Sequence, residues 1–207
     1  MLPIAILLLM IIPLTGLSST FKELENKLQN TKSIRVVFIQ KTQYSWYPKP
    51  ELSKGVFYAT KDGKFRIEYT YPDKVVMVSN GKEIIILNEE DKEAIIDNVE
   101  NNTSPVIESL FFFSKPLGEV FEPVGELEKS GLRVLILKPK QRDENIKEVY
   151  VELDAELEVK KVRVVDSENT QTTLEFIEVR KNFQPSSGLF KIELPPDVKV
   201  RRAGSLK

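Results

Sequence analysis

About eleven short segments with a hydrophobic period of two follow one another along this chain, and they show no βαβ units, which argues for an antiparallel sheet. Segment 64–72, KFRIEYTYP, shows the pattern most cleanly. Phe65, Ile67, Tyr69 and Tyr71 point one way; Lys64, Arg66, Glu68 and Thr70 point the other. Asp62-Gly63 precedes it, and Asn80-Gly81 separates KVVMVS from KEIIILN, so both dipeptides mark tight hairpins. Further strand patterns cover 34–47, 54–60 and 93–99. After position 118 they resume in VFEPVGEL, GLRVLILKP, IKEVYVELD, EVKKVRVVD, TTLEFIEVRKNF and GLFKIELPPDVKV. The fold class expected is α+β, mainly β: a single domain built on about eleven strands as one large curved antiparallel sheet or an incomplete antiparallel β-barrel. Side chains alone do not fill a barrel of that width, which suggests a hydrophobic cavity under a helical lid. A two-sheet sandwich fits the same pattern.

Two segments carry a helical period instead. Phe21, Leu24 and Leu28 recur with charges between them, an amphipathic helix ahead of the first strand. The second is 104–118, SPVIESLFFFSKPLG. Ser104 can cap it and Pro105 suits its first position. Val106, Leu110, Phe113 and Leu117 form one stripe, with Ile107 and Phe111 beside it. Phe112 shares the wet side with Glu108 and Lys115. Such a stripe fits a buried core helix, and it equally fits a lid over a cavity with Phe112 free for an exposed contact.

Composition removes several functions. Thirty Lys and Arg balance thirty-one Asp and Glu for a formal net charge of -1 with no dominant charge block, so nothing favours nucleic acid or an anionic membrane surface. There are no cysteines and no histidines, hence no disulfide framework, no thiolate nucleophile and no Ser-His-Asp arrangement. Neither a metal nor a cofactor is expected. The acidic turn Glu89, Glu90, Asp91 and Glu93 reads as a solvated hairpin, since Lys92 sits inside it. Tyr44, Trp46 and Tyr47, near Pro48 and Pro50, read as a barrel rim or a sugar platform.

The N-terminus, MLPIAILLLMIIPLTGLSST, has an apolar run from Leu2 to Leu14 that fits a signal-peptide core and is short for a membrane span. Gly16 and Ser18 allow cleavage after Ser18, although no Lys or Arg precedes the run; an uncleaved anchor is the alternative. The expected organisation is therefore 1–18 signal peptide and 19–207 one exported domain.

VVFIQKT with Phe38 and Gln40, then Gly55-Val56-Phe57, then KDGKFRIEYTYPDKVVMVSNGKEIIIL, then the apolar helical segment and the ending GLFKIELPPDVKV follow in an order that resembles the periplasmic outer-membrane lipoprotein carrier proteins, the LolA family. The likeness spans nearly the whole chain after the leader. It implies a carrier that takes acylated lipoproteins from an inner-membrane ABC releasing complex and passes them to an outer-membrane acceptor in the periplasm, without catalysis and as a monomer. The family's signature Arg falls on Lys61, its Pro on Asp62, its Phe on Phe65 and its Trp on Ile67. The resemblance implies lid closure or partner contact for Lys61, Arg66 and Phe112. It implies cavity or lid contacts for Phe38, Phe65, Ile67, Tyr69, Met77, Val106, Ile107, Leu110, Phe111 and Phe113. Arg66 and Phe65 also admit plain readings, as a solvated strand residue and a core aromatic. A charge at Phe65 is expected to impair transfer and spare the fold. The rival readings are a sensor of envelope stress on the same fold that binds lipid or peptide, and an exported hydrolase with a carboxylate pair.

Overall fold

The structure, a computed structural model, describes residues 15–99, 105–111, 113–143 and 146–203, the side chains of 15–18 and 105–107 excepted. The predicted cap Ser104, the run Leu2–Leu14, Phe112 and the side chains of Val106 and Ile107 lie outside the described residues. The first element, α1, spans Thr15–Gln29, so the expected cleavage point falls inside it. It buries Phe21, Leu24 and Leu28, the stripe its spacing predicts. The Thr31 hydroxyl donates to the Lys27 carbonyl (2.9 Å), satisfying one of the helix's last acceptors.

Among the described residues twelve strands follow. They are β1 (Ser33–Gln43), β2 (Glu51–Thr60), β3 (Phe65–Tyr71), β4 (Val75–Ser79), β5 (Glu83–Asn88) and β6 (Glu93–Asn98), then β7 (Phe121–Lys129), β8 (Leu132–Pro139), β9 (Glu148–Leu153), β10 (Val159–Val165), β11 (Gln171–Lys181) and β12 (Lys199–Arg202). Two short helices, α2 (Pro105–Leu110) and α3 (Leu117–Val120), sit between β6 and β7. All twelve strands join one sheet in the order β12-β6-β5-β4-β3-β2-β1-β11-β10-β9-β8-β7. One continuous sheet replaces the sandwich alternative, and β7 and β12 stay as separate edges, so the barrel is incomplete. Every described pairing is antiparallel except β12 with β6, which is parallel.

The inner face follows the alternation. Ile34, Val36 and Phe38 of β1 are buried, opposite Ala59, Phe57 and Gly55 of β2. Phe65 and Ile67 of β3 lie opposite Ser79 and Met77 of β4. The hairpins turn where the sequence places glycine in the left-handed region: Gly63 at φ 81° and Gly81 at φ 92°. Asn80 reinforces its turn, accepting from the backbone N–H groups of Lys82 and Glu83 at 2.9 and 3.0 Å.

Two expectations fail locally. The stripe from Val106 to Leu117 is not one helix: α2 ends at Leu110, and the chain turns through Phe113, which adopts φ 54°, before α3 begins. Ser114 closes α2, its N–H and hydroxyl both donating to the Glu108 carbonyl at 3.2 Å. The ending GLFKIELPPDVKV forms a strand only at its last residues. Pro195 and Pro196 lack the N–H a ladder needs, and the segment instead crosses the outer face of the sheet. Phe183 meets Tyr58 edge-on at 6.1 Å between ring centres. The Arg66 guanidinium donates to the carbonyls of Leu189 (3.4 Å) and Lys191 (3.3 Å). Phe190 and Ile192 border a groove of about 670 Å³ whose floor includes Val78 and Ile85. This strap helps bury Val78 on the outer side of β4, while Met77 packs on the inner side.

Candidate ligand cavity

The inner face of β1, β2, β3, β9, β10 and β11, with α1 and Leu110, Phe111, Phe113 and Leu117 over it, lines two apolar chambers, the larger of them partly open. The smaller, of about 40 Å³, lies under α1 and the lid, walled by Leu24, Leu28, Leu110, Phe113, Val151 and Val162 among others. The larger, of about 170 Å³, is walled by Phe38, Gln40, Ile67, Tyr69 and Leu174. Val36, Phe57, Phe111 and Phe176 line both. Phe111 is the lid's part of this shared wall, its ring edge-on to Phe57 with centroids 6.3 Å apart. An apolar cavity of about 150 Å³ admits a benzene-sized guest. The larger chamber therefore takes a short apolar group as it stands, and a long chain fits only if Phe111 moves.

The polar groups sit at the rims. At the far end of the larger chamber the Tyr69 hydroxyl donates to Gln40 Oε1 (3.2 Å), and burial pushes the Tyr69 phenol above its usual pKa. Phe38 meets Tyr69 edge-on at 5.7 Å. Beside the smaller chamber Glu158 takes hydrogen bonds from Lys27 (3.0 Å) and Lys181. Burial works to raise the Glu158 pKa, but the bonds from Lys181 and Lys27 outweigh it and hold it below the usual carboxylate value. The same Lys27 ammonium reaches the Glu156 carbonyl, fastening α1 to the β9–β10 turn. Glu25 on α1 accepts from the Gly118 N–H and fixes the start of α3.

Lys61 lies at the end of β2, and its ammonium donates to the Gln29 carbonyl at 2.6 Å, where a cation also suits the C-terminus of α1. Gln29 in turn donates through Nε2 to the Phe113 carbonyl (3.4 Å). Lys61, α1 and the lid are therefore connected in series. Arg66 faces outward: it pairs with Glu68 (2.5 Å) and grips the strap, away from both chambers. Phe65 is 2% exposed and lines neither chamber. Met77 packs against the core beside Ile67 without reaching either chamber. Phe38, Ile67, Tyr69, Leu110, Phe111 and Phe113 all meet chamber space.

Phe57 and Phe176 were not singled out from the sequence. Both could have been found by pairing: Phe57 lies opposite Val36, and Phe176 opposite Phe38, once β1 is placed between β2 and β11. The lid has one polar group without provision. The Ser109 hydroxyl is buried and has no hydrogen-bond partner among the described residues. Among those residues no helix is long and apolar enough to cross a membrane.

Comparison with known proteins agrees with this architecture. The family model described as outer membrane lipoprotein carrier protein LolA matches residues 29–193. The outer-membrane lipoprotein carrier protein of Francisella philomiragia is 26% identical over 181 residues, covering 86% of each chain. Among solved structures, an uncharacterized conserved protein from Thermus thermophilus superposes with a TM-score of 0.56 at 14% identity, covering 89% of this chain and 98% of that one, a likeness of fold. A LolA-superfamily protein from Nitrosomonas europaea matches with a TM-score of 0.47 at 8% identity, over 84% and 97% of the two chains. With a match that spans most of its strands, this chain belongs to the outer membrane lipoprotein carrier protein (LolA) family.

Proposed function

We propose that this protein is a non-enzymatic periplasmic carrier that hides the acyl chains of lipoproteins between an inner-membrane ABC releasing complex and an outer-membrane acceptor. An acyl chain gains about 0.8 kcal/mol for each CH₂ buried, so a lipoprotein does not cross water unaided. A carrier must bind it well and still let it go.

The observation that supports this reading most is the lid and its Phe111, which stands in the wall common to both chambers. Leu110 and Phe113 are buried and Phe111 half-buried, each worth up to roughly 1.5–3 kcal/mol when fully buried. Against that stand the orphan Ser109 hydroxyl, costing about 1–3 kcal/mol, and the left-handed Phe113, costing about 1–2 kcal/mol. These penalties offset part of what the buried side chains contribute. Lipid that replaces Phe111 and Phe113 in the cavity needs only to match what they contribute.

Native mass spectrometry of the protein with a triacylated lipopeptide, and with its deacylated form, tests the reading. A one-to-one complex that requires the acyl chains is expected. No complex, or equal binding of the deacylated peptide, would remove it.

A further inference from the structure

The ladders of β11 end at different places on its two sides. With β1 the pairing runs to Lys181, but with β10 it stops at Glu175, opposite Lys161. From Phe176 to Lys181, β11 therefore has a ladder partner on the β1 side alone. Two bulges stand at this point. Ile177 is the extra residue on β11 against β1, between the pairs Phe38–Phe176 and Val37–Glu178. Lys160 is the extra residue on β10 against β9. A bulge bends its strand and sharpens the local twist. Together they part β10 from β11.

The smaller chamber reaches this split. Val159, Phe176 and Val179, from the two parted strands, all line it. Val179 lies opposite the buried Val36, yet is itself 38% exposed, so solvent and chamber meet across it. Three charged side chains stand at the same place. Glu158, just ahead of β10, accepts from Lys27 of α1 (3.0 Å) and from Lys181 of β11. Among the described residues that line the two chambers, only these three are charged.

Their chemistry selects a head group. Glu158 already fills the place between two ammoniums that a free carboxylate would take. Each ammonium carries three N–H donors. Lys27 directs two of them at Glu158 and the Glu156 carbonyl, and Lys181 directs one at Glu158, which leaves donors for an uncharged acceptor. The neighbouring charges add no strong field. Lys160 pairs with Asp154 (3.0 Å) and Arg35 with Glu178 (2.8 Å), while the exposed Glu156 and Arg180 offset each other.

We propose that the split between β10 and β11 is a side mouth to the smaller chamber, where an ester- or amide-linked acyl chain enters with its carbonyl held at Lys27 and Lys181. The proposal rests on the carrier reading and adds to it a route and a head group. The chamber measures about 40 Å³ as it stands, so the chain enters as Phe111 and Phe113 leave.

The sequence has no cysteine, so one introduced thiol reports one place. Folded Val179→Cys is alkylated with N-ethylmaleimide in the presence of triacylated lipopeptide, its deacylated form, monooleoylglycerol or oleate. Val124→Cys, at a position 44% exposed on β7, is the control. With lipopeptide or monooleoylglycerol at about ten times the dissociation constant, alkylation of Val179→Cys should slow about tenfold. The deacylated peptide should have no effect, oleate a smaller one, and Val124→Cys should not respond. Unchanged alkylation with both acyl ligands, or equal protection of Val124→Cys, overturns the mouth. If native mass spectra then still show an acyl-dependent complex, the carrier reading stands and lipid enters elsewhere. Protection by monooleoylglycerol without any lipopeptide complex does the reverse. Oleate that protects as well as monooleoylglycerol overturns the uncharged head group.

Discussion

The Phe38 ring closes over Gly55 on the neighbouring strand so tightly that a Cβ on Gly55 would lie 2.9 Å from Phe38 Cζ and 2.4 Å from the Glu68 carbonyl oxygen. The second contact is with backbone, which cannot step aside. Gly55→Ala should therefore cost about 1–3 kcal/mol, a fall in Tm of several degrees. A thermal melt that matches the native protein would show that β2 and β3 can separate locally at this point.

Phe111 is the lid's share of the wall common to both chambers, so Phe111→Ala should widen the passage between them. Because the side chain is only half-buried, the stability loss should be about 1–3 kcal/mol, less than for a fully buried phenylalanine. Uptake of a fluorescent acyl probe, followed by stopped flow, should become faster. Phe57→Ala, which removes wall on the sheet side, should weaken retention of the same probe. Slower uptake by Phe111→Ala would mean that Phe111 guides lipid inward and does not block it.

Phe65→Glu now carries a different expectation from the one its place in the sequence motif suggested. The side chain is 2% exposed and touches no chamber space. An unpaired carboxylate there should destabilise the fold by several kcal/mol, on the order of 3–5. Urea titration decides it. A midpoint close to native would mean that residue 65 can leave the core and face a partner.

Glu158 sets a pH dependence on how firmly α1 is held. Its folded pKa is lowered: burial works the other way, and the bonds from Lys181 and Lys27 prevail. The contribution is complete above the unfolded value near 4.3 and is lost as the pH falls through the lower folded value. Both Glu158 and Lys27 are 38% exposed, so solvent limits the effect to about 1 kcal/mol or less. Glu158→Gln should be slightly less stable than the native protein at neutral pH, and the difference should vanish in acid. A gap that persists at low pH would assign the loss to packing.

The sheet was legible because each strand carries its own alternation and its own turn residues: Phe65, Ile67 and Tyr69 declare a face, and Gly63 and Gly81 declare the turns. The cavity was legible only in part. Whether Phe38 meets Phe176 depends on β1 pairing with β11 far along the chain, and no local pattern encodes that. The break in the lid left no mark either, because Phe113 takes a backbone conformation that sequence associates with glycine or asparagine. Arg66 was placed on the right face by its alternation. Its partner, the strap, was hidden because GLFKIEL alternates like a strand while its neighbours Pro195 and Pro196 keep it out of the ladder.

A closed barrel has a girth set by its strand number and stagger, and it widens only by breaking ladder bonds. Here the strand order runs from β12 to β7 and stops. The wall is a cuff with a slit. An open wall of twelve strands can change its girth by a slight change of twist spread over the sheet, with every pairing intact, which a closed barrel cannot do.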